Sequence, residues 1–136
     1  MEHKVVTRND LLMDNLSACI RLSIEKEKYS IKGFPTREID NDIEDRNIII
    51  GKIINAMDGY ELKEASYQVE TILNKYEEER DLFNKYYNDS SYDFKTSELG
   101  EHTEINFLES NITIKKLNEV LDSIDQVSVK KGSKKA

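Results

Sequence analysis

Apolar residues recur every three or four positions along several long stretches of this chain, and few residues interrupt the pattern. Only one proline and five glycines, the two strongest helix breakers, occur in 136 residues. A repeat of three to four residues places apolar side chains on one face of an α-helix. The chain is therefore predicted to be all-α, a small helical bundle of about four helices with a long polar loop before the last helix.

The first helix is predicted to begin near Arg8, where Thr7 and Asp10 have the spacing of a capping box. Residues 33–35 (GFP) predict its end, because glycine and proline do not continue a helix. Its apolar stripe repeats every four residues and consists of Leu12, Leu16, Ile20 and Ile24. Such a stripe predicts a helix with one face in the core.

The second helix is predicted over residues 37–57, with Thr36 as its N-cap and Gly59 as its stop signal. The third helix is predicted from about Tyr60 to Tyr87 and has the clearest apolar face. That face consists of Leu62, Ala65, Val69, Ile72, Leu73, Tyr76 and Phe83.

The part of the chain before the last helix is polar. Residues 88–104 are rich in Ser, Asp and Thr and are predicted to form a long loop, and residues 105–108 fit either a short strand or a helical turn. The final helix is predicted to start near Thr113, with a seam of Ile114, Leu117, Leu121 and Ile124. Residues 1–127 are then a single helical domain, and residues 128–136 a basic, flexible tail.

Charge is unevenly distributed along the chain. The net charge is −7, but four lysines and no acid lie in the last nine residues, so the body holds 27 acidic against 16 basic residues. A body with a net charge of −11 repels phosphate backbones, which argues against nucleic acid as a direct ligand. The same charge suits a protein partner with a basic surface, and self-association into a homo-oligomer is left open.

The sequence favours a cytoplasmic protein. No apolar run approaches the roughly 20 residues of a membrane-spanning helix, and the first ten residues lack the pattern of a signal peptide. Cys19 is the single cysteine, so no internal disulfide forms. Its neighbours along the predicted helix are apolar, which predicts a buried, inert thiol.

An aromatic cluster is predicted at the end of the third helix and in the loop after it. Its members are Phe83, Tyr86, Tyr87, Tyr92 and Phe94. Two interpretations are open: a satellite core that holds the loop, or a docking patch, because tyrosine is enriched at interfaces. The binding residues predicted under the second interpretation are Tyr86, Tyr87, Tyr92, Phe94, Glu77, Glu78 and Asp81.

No metal site or cofactor is predicted. Residues 40–45 (DNDIED) resemble the start of an EF-hand loop, but Asp45 and Gly51 stand where calcium binding needs glycine and glutamate. Residues 77–81 (EEERD) and 119–122 (EVLD) resemble the acidic motifs of all-α nucleoside triphosphate pyrophosphohydrolases. This resemblance implies magnesium held by carboxylates on two helices, and such an enzyme is the alternative function.

The leading hypothesis is a non-enzymatic protein-binding module. Residues 53–65 (IINAMDGYELKEA), together with the Ile, Asn, Lys and Glu bias, resemble small helical proteins of Gram-positive phages and prophages. That resemblance implies a phage-encoded inhibitor or regulator of a bacterial host protein, such as a defence protein, that acts by binding. The negative charge of the body predicts that it binds through its acidic surface.

Overall fold

The computed structural model describes residues 6–88 and 98–133, and for residues 86–88, 98–106 and 132–133 it describes the backbone alone. These residues form four α-helices and no β-strand, which confirms the all-α prediction. The helices are α1 (Arg8–Ile31), α2 (Arg37–Ala56), α3 (Gly59–Asn88) and α4 (Glu98–Ser133). The loop predicted at residues 88–104 is wrong for residue 88, which belongs to α3, and for residues 98–104, which belong to α4. Its remaining residues, 89–97, lie outside the described residues, as do Tyr92 and Phe94 of the predicted aromatic cluster.

Two helices begin with a capping box. The Thr7 hydroxyl accepts a hydrogen bond from the Asp10 amide at 3.1 Å, and the Asp10 carboxylate accepts one from the Thr7 amide at 3.2 Å. Asp58 and Glu61 make the same reciprocal pair at the start of α3, at 2.8 and 3.3 Å. Gly59, predicted to stop α2, is therefore instead the first residue of α3, because Asp58 starts a new helix two residues after α2 ends.

The end of α1 is a Schellman motif. The Gly33 amide donates to the Ser30 carbonyl at 3.1 Å, and the Phe34 amide donates to the Tyr29 carbonyl at 2.9 Å. Gly33 has a φ of 76°, the left-handed conformation that favours glycine. The Phe34 and Tyr29 rings pack edge to face with centroids 6.0 Å apart. The predicted end of the first helix at residues 33–35 is thus confirmed.

The helices alternate in direction and form two hairpins, α1 with α2 and α3 with α4. The hairpins stack so that α1 and α4 each contact the three other helices, while α2 and α3 lie at opposite corners. Arg8 and Glu61 form an ion pair of 2.7 Å that joins the starts of α1 and α3. Lys131, near the end of α4, donates to the Met57 carbonyl at the same end of the bundle.

Buried side chains concentrate at this end, which we call the closed end. Its most buried side chains include Leu12, Leu16, Ile54, Met57, Leu62, Val69 and Ile124. Of the described side chains, none beyond Cys19 in α1 or Leu73 in α3 is buried, and α2 has none before Ile50. In α4, buried side chains are spread from Ser110 to Ile124, over most of the part of this helix whose side chains are described. The opposite end, where α1 and α3 finish and α2 and α4 begin, is the open end.

The last helix is longer than predicted. The prediction that it starts near Thr113 is wrong, because α4 begins at Glu98 and includes residues 105–108. Gly100 and Thr103 lower the helix propensity of this stretch, yet α4 continues through both. At its other end α4 continues to Ser133, six residues into the segment for which a flexible tail is predicted.

Candidate protein-binding groove

A groove of about 690 Å³ runs between α1 and α3, with α4 as its floor. Its apolar lining is Met13, Leu16, Ile20 and Ile24 on α1, Ile72, Tyr76 and Phe83 on α3, and Leu117 on α4. The α1 wall extends from residue 13 to residue 28 and the α3 wall from 72 to 83. At 1.5 Å per helical residue these walls are roughly 22 Å and 16 Å long.

The groove walls are continuations of the stripes that form the core. Leu12 and Leu16 are almost fully buried, whereas Ile20 and Ile24, four and eight residues further along α1, are only half-buried. In α3 the same change occurs between Val69, with no exposed surface, and Phe83, which is 38% exposed. The apolar faces thus continue toward the open end, where they are only partly covered.

The groove floor is partly polar and internally satisfied. Thr113 is buried, and its hydroxyl donates to the Glu109 carbonyl one turn earlier at 2.8 Å. The Glu109 carboxylate lies 2.7 Å from the Lys28 ammonium, and this ion pair ties α1 to α4 at the open end. The floor therefore offers mainly packing surface, since these polar groups already have partners.

Each wall carries a charged side chain at the rim. Arg21 lies on the α1 wall and Glu79 on the α3 wall, and both are exposed. Within the described part of the chain, neither forms an ion pair with another residue. The two walls therefore present charges of opposite sign to whatever enters between them.

The predicted acidic residues flank this groove without lining it. Glu78 and Asp81 are exposed and Glu77 is half-buried, and the groove lining from this stretch is Glu79. Asp81 lies 3.5 Å from the neighbouring Arg80. The structure thus places the acidic run beside the groove, on the same two turns of α3.

The predicted aromatic anchors fall largely beyond what the structure describes. Tyr86 and Tyr87 belong to the last turn of α3, but their side chains lie outside the described part. Tyr92 and Phe94 also lie outside it. Phe83 is the member of the cluster that the structure places, and it lines the groove.

The α1 wall was missed as a site because the sequence predicts Ile20 and Ile24 as core. The stripe has the same period over its covered and its uncovered part, so nothing in the sequence separates the two. The groove depends instead on how α1, α3 and α4 lie together, since these three helices supply its lining.

The acidic motifs that resemble pyrophosphohydrolases do not converge. Glu119 faces a second pocket between α1, α2 and α4, where Lys116 lies 3.5 Å from its carboxylate. Glu119 is ten residues, or roughly 15 Å, along α4 from Glu109, the α4 acid that lines the groove together with Glu79. Over the ranges 6–88 and 98–133, no group of three His, Cys, Asp or Glu side chains could hold a metal ion.

The second pocket adjoins a polar cluster that joins three helices. The fully buried Cys19 thiol lies 3.4 Å from the Asn47 side-chain oxygen, which also accepts a hydrogen bond from Lys116. Nearby, Arg46 donates to the Asn15 side-chain oxygen at 2.9 Å. The predicted burial of Cys19 is confirmed, and the cluster explains how a charge-rich α2 is held against α1 and α4.

An ion pair at the open end lowers the pKa of Asp40. The Lys26 ammonium lies 2.6 Å from the Asp40 carboxylate, and this contact is the main cause of a lowered pKa of Asp40. The Thr36 hydroxyl donates to Asp40 at 3.1 Å and lowers the pKa further, while partial desolvation opposes both effects. The Thr36 hydroxyl therefore bonds to a side chain and makes no capping hydrogen bond to a backbone amide of α2, although Thr36 occupies the predicted N-cap position.

Among the helices as described, none is long and apolar enough to cross a membrane. Comparison with known proteins adds no relative from which an activity could be transferred. The chain matches no protein-family model, no curated protein and no solved structure.

Proposed function

We propose that this protein is a non-enzymatic binding module that holds a partner protein in the groove between α1 and α3. The observation that carries the proposal is the apolar surface of Ile20, Ile24, Ile72, Tyr76 and Phe83, which continues the core stripes and is left half-covered. Uncovered apolar surface that is contiguous and rimmed by polar groups is typical of protein-interaction sites.

The surroundings of the groove support a protein rather than a nucleic acid as the ligand. The body of the chain is strongly acidic, and Glu77, Glu78 and Asp81 lie beside the groove. A basic partner surface would be drawn to these carboxylates during encounter, while the apolar walls would set the lifetime of the complex. Under the resemblance of residues 53–65 to phage proteins, that partner is a bacterial host protein which the module inhibits or regulates.

The proposal is tested by affinity capture from a lysate of a Gram-positive bacterium, with the full chain as bait. The groove variant is Ile24→Arg, which places a charge on the α1 wall. The matched control is Ile48→Arg, because Ile48 is 49% exposed on α2, away from the groove. We expect the wild type and Ile48→Arg to retain the same protein and Ile24→Arg to lose it.

Circular dichroism establishes that each variant is folded. Should Ile24→Arg unfold the chain, Ser17→Arg replaces it, since Ser17 is exposed and lines the same wall. If the folded groove variants still retain the partner protein, the binding face lies elsewhere. If Ile48→Arg loses the partner protein as fully as Ile24→Arg does, binding depends on general surface charge.

A further inference from the structure

We propose that the occupant of the groove is a single amphipathic α-helix of the partner, with a carboxylate on the flank that faces α1 and a cation on the flank that faces α3. This inference rests on the proposed function and adds the shape and charge of the partner segment. It is based on three features: the helical spacing of the apolar residues on the two walls, the hydrogen-bonded backbones of both walls, and the two rim charges.

The walls have the spacing that a helix recognises. Ile20 and Ile24 are one turn apart on α1, and Ile72 and Tyr76 are one turn apart on α3. A helix that packs between two others inserts residues spaced i, i+3, i+4 and i+7 between such ridges. The walls, roughly 16 to 22 Å long, match about three to four helical turns of a partner.

Other kinds of protein segment fit the groove less well. An extended strand binds by pairing with free backbone amides and carbonyls at a sheet edge, but both walls lie inside helices whose backbone groups are already bonded. A polyproline segment needs a surface of several aromatic rings, and the described lining has Tyr76 and Phe83. A helix needs only apolar ridges, which are what the walls present.

The rim charges specify the flanks of that helix. Arg21 on the α1 wall and Glu79 on the α3 wall have no ion-pair partner among the described residues. A partner helix with glutamate on one flank and lysine on the other satisfies both at once in a single direction along the groove. Reversing the helix would bring like charges together on both walls, so the pair also sets the direction of binding.

The probe is a fluorescein-labelled synthetic peptide of about 14 residues, roughly 21 Å as a helix. It has leucines at i, i+3, i+4 and i+7, glutamates on one flank and lysines on the other. Fluorescence anisotropy measures its binding to the full chain. A second peptide of identical composition, with its leucines spread around the helix, controls for non-specific apolar binding.

We expect saturable binding of the first peptide, with a Kd on the order of 10 µM or lower, and none of the second. Phe83→Ala should raise the Kd at least about tenfold, as expected for an interface anchor. Ile48→Arg, outside the groove, should leave the Kd unchanged. Equal binding of the two peptides, no saturable binding, or a Kd unaffected by Phe83→Ala would each overturn the proposal.

The charge assignment is tested by reversing the charge at Arg21 and measuring which of two peptides the protein prefers. The wild type should bind the glutamate–lysine peptide about threefold more tightly than a peptide with lysine on both flanks. Arg21→Glu makes both walls acidic, so this variant should prefer the peptide with two lysine flanks. An unchanged order of preference in Arg21→Glu would refute the assignment of the flanks.

The outcome separates this inference from the proposed function. Lysate capture that Ile24→Arg abolishes, together with no peptide binding, would retain the function and refute a helical occupant. Peptide binding together with capture that Ile24→Arg does not alter would retain a helix-binding groove and refute the function. A wild-type dimer by sedimentation that Phe83→Ala dissociates would identify the occupant as a second copy of the chain and overturn the inference.

Discussion

The two ends of this bundle are made from the same helices but are covered very differently. At the closed end, Leu12 and Met57 have no exposed surface. At the open end, Ile24 is half-buried and Phe83 is 38% exposed, although they continue the same apolar stripes. The difference lies in what covers the stripes: core side chains of all four helices pack together at the closed end, whereas at the open end the stripes of α1 and α3 line a groove that has no α2 side chain in its lining.

This comparison shows that an amphipathic stripe does not by itself distinguish core from binding surface. The closed end is held by burial, at about 25 cal/mol per Å² of apolar surface. The open end is held by local devices: the Schellman turn at Gly33, the Lys26–Asp40 ion pair and the Lys28–Glu109 ion pair. Stability should therefore depend on side-chain size at one end and on turn geometry and charge at the other.

The largest expected effect is the loss of a buried side chain at the closed end. Leu12→Ala removes a fully buried leucine and should lower the free energy of unfolding by roughly 3 kcal/mol. Ile24→Ala, a truncation on the same helix at the open end, should cost roughly 1 kcal/mol or less, because its site is already half-solvated. Urea denaturation followed by circular dichroism measures both. Equal losses in the two variants would mean that the ends do not differ in packing.

A smaller effect of opposite signs is expected at two glycines. Gly33→Ala should cost about 1 kcal/mol, since a φ of 76° is unfavourable for alanine. Gly51→Ala, the matched control inside α2, should stabilise the protein by about 0.5–1 kcal/mol, because an added Cβ meets nothing within 4 Å. The midpoints of urea unfolding should move in opposite directions. A midpoint that Gly33→Ala raises or leaves unchanged would show that the turn at Gly33 does not help to hold the open end.

The smallest effect concerns pH. The pKa of Asp40 is lower in the folded chain, so its ion pair with Lys26 stabilises the fold above the ordinary carboxyl pKa of about 4. This contribution disappears as the pH falls through the lowered pKa. The difference in stability between the wild type and Asp40→Asn should therefore shrink from about pH 6 to about pH 2.

Thermal unfolding across that range measures the difference, and Asp42→Asn is the control. Asp42 is exposed on the same helix and forms no ion pair among the described residues. The ion pair would not stabilise the open end if the stability difference between the wild type and Asp40→Asn were the same at every pH. The same conclusion would follow if Asp42→Asn showed the same pH dependence as Asp40→Asn.

The sequence by itself determined the fold class and the starts of α1, α2 and α3 to within about one residue. These features are local. Thr7 and Asp10, three residues apart, cap the start of α1, and Gly33 ends the same helix because glycine readily adopts a positive φ. The stripe from Leu12 to Ile24 likewise follows from helical periodicity alone. Each of these signals is contained within a few turns of chain.

Only the tertiary structure decided where those stripes are covered. Whether Ile24 lies in a core or in a groove wall depends on α3 and α4, which are distant in sequence and form the rest of the groove. The start of α4 at Glu98 is likewise not marked in the sequence, because Gly100 and Thr103 lower the local helix propensity. Burial is a property of several helices together, and no single stripe in the sequence specifies which neighbours will cover it.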